Sequence, residues 1–278
     1  ATDSPVFPST PLFRSASDNE GESTSPLDIW VEGSASRFID GTSGGGAFGL
    51  LSFGVDYLVE PDLLIGFMGQ MDRFKQDFTT PGSEIDGRGW MAGPYATLKL
   101  DEHLFLDVLG AWGRSDNDIS PFGTYTDTFE TDRWLVSSTL TGQFDVGNWD
   151  IRPSYTLQFF HERQSAYTDS LGVRIPEQSL SQGDMRLGPQ IAYTHTFEDG
   201  SSIRPKGGFE GVYSFGERNT FSVGSFAAET QGLTGQVNGG LDYQTPGGLS
   251  LGLAADYGGI GGTAKSFGLT INLSMPLN

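Results

Sequence analysis

Few side chains in this sequence could move a proton near neutral pH. His103, His161 and His195 are its only histidines. His161 is followed by Glu162, which has the composition of an acid–base pair. On a strand, however, neighbouring side chains point to opposite faces, so these two cannot act on one proton. His161 and His195 stand at the ends of apolar rows, where histidine is an ordinary interfacial residue. Nucleophilic catalysis needs a nucleophile, a base and an orienting group together. No G-x-S-x-G, H-E-x-x-H or glycine-rich phosphate loop occurs. Cysteine is absent, which removes thiolate chemistry, thiolate–metal sites and disulfides. The residues therefore predict no enzyme, no metal centre and no cofactor.

The elements that carry these residues are strands. The chain has 278 residues, 40 of them Gly, with 12% aromatics, so strand formers and turn formers are both abundant. No apolar run reaches the 18 or more residues that a transmembrane helix needs. The mean hydropathy is negative, which still allows a β-barrel with a polar lumen. A net charge of −19 argues against nucleic acid as a partner. Residues 1–27 hold Pro, Ser, Thr and the acids Asp18, Glu20 and Glu22, and read as a linker or lumen segment outside any core.

From residue 28 onward the pattern has period two. Twelve strands are predicted near 28–37, 46–58, 63–75, 88–100, 103–114, 133–144, 149–162, 185–197, 202–215, 231–244, 248–257 and 264–277. Short turns at 59–62, 101–102, 145–148, 198–201 and 245–248 alternate with longer loops. Short turns on one side and long loops on the other match an outer-membrane barrel better than a soluble sandwich. The fold class predicted is all-β, a twelve-stranded antiparallel transmembrane barrel over residues 28–278. Pro94 and Pro189 fall inside strands and predict a bulge or a missing ladder bond, whereas Pro153 and Pro205 lie near strand starts.

The apolar rows together carry aromatics toward both ends of the predicted barrel. Tyr57, Phe144, Trp149, Phe197 and Tyr243 adjoin the short turns, and Trp112, Trp134, Phe159, Tyr213 and Tyr257 lie near the long loops. Two aromatic girdles around an aliphatic band fit the two membrane interfaces. A Ser–His pair on the lipid face would suit lipid hydrolysis, but the sequence has no local signature of one. The long loops collect Asp116, Asp118, Asp127, Glu130 and Asp132, and Asp77, Glu84 and Asp86. The reading is a solvated acidic rim, or one that divalent cations bridge to anionic lipopolysaccharide.

The polar row faces the lumen. Arg152, Arg186, Arg204 and Lys206 come from three consecutive strands and suggest a basic wall. Asp56, Asp72, Asp107, Asp242 and Asp256 suggest an acidic one. These charges either form structural ion pairs or dock the acids of residues 18–22 against the basic wall. Fully extended, residues 1–27 reach about 90 Å, enough to cross a membrane.

Four stretches resemble the autotransporter β-domain family: GPYATLKLDEHLFLDVLGAWGRSDND (93–118), IRPSYTLQFFHERQSAYTDSLG (151–172), DGSSIRPKGGFEGVYSF (199–215) and ADYGGIGGTAKSFGLTINLSMPL (255–277). The resemblance implies an outer-membrane translocator that anchors, and helps export, an N-terminal passenger in cis. The other reading is a stand-alone narrow pore or structural barrel. A closed barrel with a full apolar belt needs no partner, so a monomer is expected, with long loops outside the cell and both barrel ends in the periplasm. The barrel-assembly machinery would read the last strand, whose outward row is Phe267, Leu269, Ile271, Leu273, Met275 and Leu277. Family members commonly end on an aromatic residue, whereas this chain ends Leu277-Asn278.

Overall fold

The computed structural model describes residues 26–40, 44–219 and 232–276. Twelve long strands run through them: β1 Leu27–Asp40, β2 Gly44–Glu60, β3 Leu63–Phe78, β4 Glu84–Asp101, β5 Leu104–Ser120, β6 Asp127–Gly142, β7 Trp149–Gln164, β8 Gln178–Tyr193, β9 Ser202–Asn219, β10 Gly232–Gln244, β11 Ser250–Ile260 and β12 Ala264–Pro276. Short pairings such as Phe144–Val146 and His195–Thr196 decorate the turns. Among the described residues there is no helix.

Each strand pairs antiparallel with the next, and β12 returns to β1 from Asp28↔Pro276 to Asp40↔Ala264. The ring closes without a free edge. In hydrocarbon an open edge would leave backbone groups unpaired at several kcal/mol each, so closure is what makes the sheet compatible with a membrane. Gly147, Gly200 and Gly248 sit at short turns with φ of 65°, 84° and 85°, a region that side chains rarely adopt.

The prolines act as expected. Pro94 lies in register with Phe67 of β3, but the β4–β5 ladder skips from Ala92↔Trp112 to Tyr95↔Leu109. Pro189 pairs with Pro153 of β7, and the β8–β9 ladder skips from Leu187↔Gly211 to Gln190↔Gly208. Each ring removes an N–H, so one neighbour loses a bond while the register holds.

Several strands run further than predicted. β5 continues to Ser120 and β6 starts at Asp127, leaving only residues 121–126 as the link. The pairs Asp116↔Glu130 and Asp118↔Thr128 extend the ladder through polar sequence. Beyond the lipid both faces of a strand meet water, so the apolar alternation stops there while pairing continues.

Candidate functional site in the barrel lumen

Interior side chains follow one parity on each strand, and they divide the lumen into two unlike halves. Trp30, Leu64, Met68, Met91, Tyr95, Leu109, Ala111, Leu135 and Phe160 form a buried apolar cluster inside the barrel. They come from β1 and β3–β7. Glycines opposite make the room: a Cβ at Gly54 would overlap the Trp30 indole, and one at Gly66 would overlap the Tyr95 ring. Trp30 Nε1 donates to Tyr95 Oη at 2.7 Å and lies 3.3 Å from Asp56 Oδ1. The sequence reading assigned this row to polar residues and missed the cluster. The available signal was parity: Trp30, Met68, Met91 and Tyr95 alternate with outward residues and face a glycine-rich neighbour.

Toward the long-loop end, Arg133 of β6 bridges Asp72 of β3 and Glu162 of β7. Its Nη1 donates to both Asp72 oxygens at 2.9 and 3.0 Å, and its Nε donates to Glu162 at 2.9 Å. Glu162 also accepts from Thr131 at 2.6 Å. This triad spans the apolar half of the lumen like a tie. Sequence reading put Asp72 in the acidic wall and Glu162 on the polar row of its strand, but did not name Arg133, which lies on lumen parity.

The remaining predicted charges interleave instead of forming opposed walls. Arg152 Nε donates to Asp150 at 2.7 Å, and Arg204 also bonds Asp150. Lys206 donates to Asp242 at 2.8 Å. Asp107 accepts from Thr97 at 2.5 Å, and Asp256 accepts from Gln236 at 3.2 Å. Arg186 is buried, and its Nε and Nη1 have no hydrogen-bond partner among the described residues. Arg152 and Arg204 thus come together on the Asp150 carboxylate at the short-turn end of the lumen.

The outer face is apolar. Tyr57, Trp112, Trp134, Phe144, Trp149, Phe197, Tyr213, Tyr243 and Tyr257 are all exposed on it, as are Phe159 and the last-strand residues Phe267, Leu269, Ile271, Leu273 and Met275. Leu277 lies outside the described residues. Trp90, Trp112 and Trp134 make consecutive ring contacts with centroids 5.1 and 6.4 Å apart.

One polar pair on this face was not legible in the sequence. His161 Nδ1 lies 2.9 Å from Ser181 Oγ, because β7 and β8 place the two residues directly opposite each other. They are twenty residues apart in the chain, so no local motif joins them. Among the described residues no carboxylate hydrogen-bonds the His161 ring to orient it, as a catalytic base requires. His195 stacks edge-on with Phe197 at 4.9 Å, and His103 lies against Phe144 at 5.6 Å. No metal-binding group of three or more His, Asp or Glu occurs among the described residues.

A closed twelve-stranded ring with a polar, half-filled lumen and an apolar outside is the architecture on which comparison with known proteins turns. The model of the autotransporter β-domain family matches residues 29–259. This chain belongs to that family. No curated protein matches it. The autotransporter barrel superposes on the β-domain of the Bordetella autotransporter BrkA with a TM-score of 0.73 at 15% identity, covering 91% of this chain and 100% of that one. The translocator domain of NalP from Neisseria meningitidis gives 0.66 at 13% identity, with 94% and 92% covered. The transport unit of AIDA-I from Escherichia coli gives 0.63 at 10%, with 94% and 93% covered. At such identities the structures speak for the shared fold, and the family match carries the function. The autotransporter domain is an outer-membrane translocator that serves an N-terminal passenger in cis, and domains of this family are transport barrels rather than enzymes.

Proposed function

We propose that residues 1–27 connect the passenger to the barrel through its lumen, and that the acids Asp18, Glu20 and Glu22 dock at the short-turn end. The observation that carries this reading is the convergence of Arg152 and Arg204 on Asp150. Two guanidiniums side by side attract carboxylates that enter this end of the lumen. Reversing both, as Arg152→Glu with Arg204→Glu, should expose the segment to added protease. Unchanged protection in a correctly assembled barrel would refute docking.

The long loops face outward from the cell, and both barrel ends of the chain lie in the periplasm. Short turns on the periplasmic side and long loops outside are the general pattern of such barrels. The outward row of β12, Phe267, Leu269, Ile271, Leu273 and Met275, is the signal that the assembly machinery reads. The acidic rim meets anionic lipopolysaccharide through divalent cations, and the barrel works as a monomer because its apolar belt is complete. A reporter domain fused ahead of Ala1 should reach the cell surface. If it stayed in the periplasm above an assembled barrel, the export reading would be wrong.

The barrel domain carries no catalysis of its own. The His161–Ser181 pair invites the direct check, a phospholipase assay on the folded barrel in mixed micelles. Turnover that disappears in His161→Ala would overturn the assignment.

A further inference from the structure

The two halves of the lumen differ in what they could admit. β3–β7 fill their side with the apolar cluster and the Arg133 triad. β10, β11 and β12 send no side chain larger than Gln into the lumen and none that is bulky and apolar. Gln236, Asn238, Gly252, Ala254, Thr270 and Asn272 are representative of that wall. Even its acids lie flat: the Asp256 carboxylate occupies the space above Gly268. Amides and hydroxyls of this kind pair with a peptide backbone whatever its sequence.

At the edge of this polar half stands Arg186 of β8, only 8% exposed. Its Nε and Nη1 donate to nothing among the described residues, and Glu210 Oε2 accepts nothing. Arg186 interacts electrostatically with Glu210 and with Asp256 of β11, so the three share one level of the barrel. A buried charged donor left without an acceptor is costly, and a ligand that supplies acceptors is favoured in proportion. A guanidinium that wants carbonyl oxygens beside a carboxylate that wants N–H donors is complementary to peptide backbone.

We propose that the polypeptide crossing this lumen runs along the β8–β12 wall, with Arg186 and Glu210 as the station that holds its main chain. The occupant is the N-terminal segment, residues 1–25, and the inference rests on the threading reading given above. It adds which side of the lumen is used and which residues grip.

The absence of cysteine makes a direct test available, since introduced cysteines are the only thiols. A cysteine is placed in turn at several positions between residues 10 and 20. Each is combined with Asn238→Cys or Thr270→Cys on the polar half, or with Gln70→Cys or Ser137→Cys on the filled half. Oxidation of the assembled barrel in outer-membrane vesicles should give disulfides to 238 and 270 at several times the yield to 70 and 137. Equal yields, or a preference for the filled half, would overturn the path while leaving threading intact. No disulfide to any lumen position, with the segment open to protease, would instead remove the threading reading itself. In a second arm, Arg186→Ala should speed proteolysis of the segment about tenfold or more, the scale of a lost charged hydrogen bond, while the barrel keeps its heat-modifiable migration. Arg186→Lys should restore part of the protection. An Arg186→Ala barrel that protects the segment fully would remove the station.

Discussion

Trp30 and Tyr95 meet in a 2.7 Å hydrogen bond although two strands separate them in the sheet. The indole from β1 lies over Gly54 of β2, and the phenol from β4 lies over Gly66 of β3. Two large side chains thus lean toward each other above two glycines and close a chord inside the barrel. Gly66→Ala puts a methyl group into the Tyr95 ring and must push it away. The expected cost is about 1–3 kcal/mol, the usual range for overpacking. Urea unfolding in detergent micelles, followed by the gel shift between folded and unfolded barrel, measures it. Gly49→Ala is the control, because nothing lies within 4 Å of a Cβ there, and it should change stability little.

The Arg133 tie predicts a larger loss. Arg133→Ala strands Asp72 and Glu162 in a buried setting, and breaking a buried pair costs about 3–5 kcal/mol. The variant should unfold at clearly lower urea concentration. Arg133→Ala combined with Asp72→Asn and Glu162→Gln should recover much of the difference, because it removes the stranded charges as well as their partner.

On the outside, Leu269 of β12 pairs with Ala35 and Ala255 and is exposed near mid-strand. Leu269→Arg should cost about 2–4 kcal/mol in a bilayer, the penalty for a cation at the midplane of a barrel's lipid face. In the same unfolding measurement, Asn238→Arg, on the lumen face of β10, should cost far less. Equal penalties would mean that the inner and outer faces had been exchanged.

The turn after β8 is sensitive to acid. Asp199 Oδ1 accepts from the Ser201 hydroxyl at 2.6 Å and from its amide at 2.9 Å. The Ser201 hydroxyl, then its amide, holds the Asp199 carboxyl below the ordinary carboxylate value. A lowered folded pKa means that the contribution is complete above the unfolded value and is lost as pH falls through the folded one. Ser201 amide exchange should therefore be slow at neutral pH relative to Asp199→Ala, and the two should converge in strong acid. Carbon-13 titration of the Asp199 carboxyl would locate the midpoint.

The sequence made the outer surface easy to read. Leu249, Leu251 and Leu253 against Ser250 and Gly252 state a strand and its greasy face at once, and Thr245–Leu249 marks its turn. The interior was harder for a physical reason. A lumen residue is selected by what lies across the ring, and Arg133 stands 61 residues from Asp72 and 29 from Glu162 in the chain. Only the closed ring brings them together. The same holds for His161 and Ser181, which are joined by register and not by motif.

 The filled half of the barrel belongs to the earlier strands, and β10–β12 contribute nothing bulky to it. The apolar packing of that half is made without side chains from β10–β12. Hydrogen exchange during assembly should show amides of β3–β6 becoming protected before those of β10 and β11. The final strands can then swing shut like a door around freight already on board, so that loading and sealing become one event.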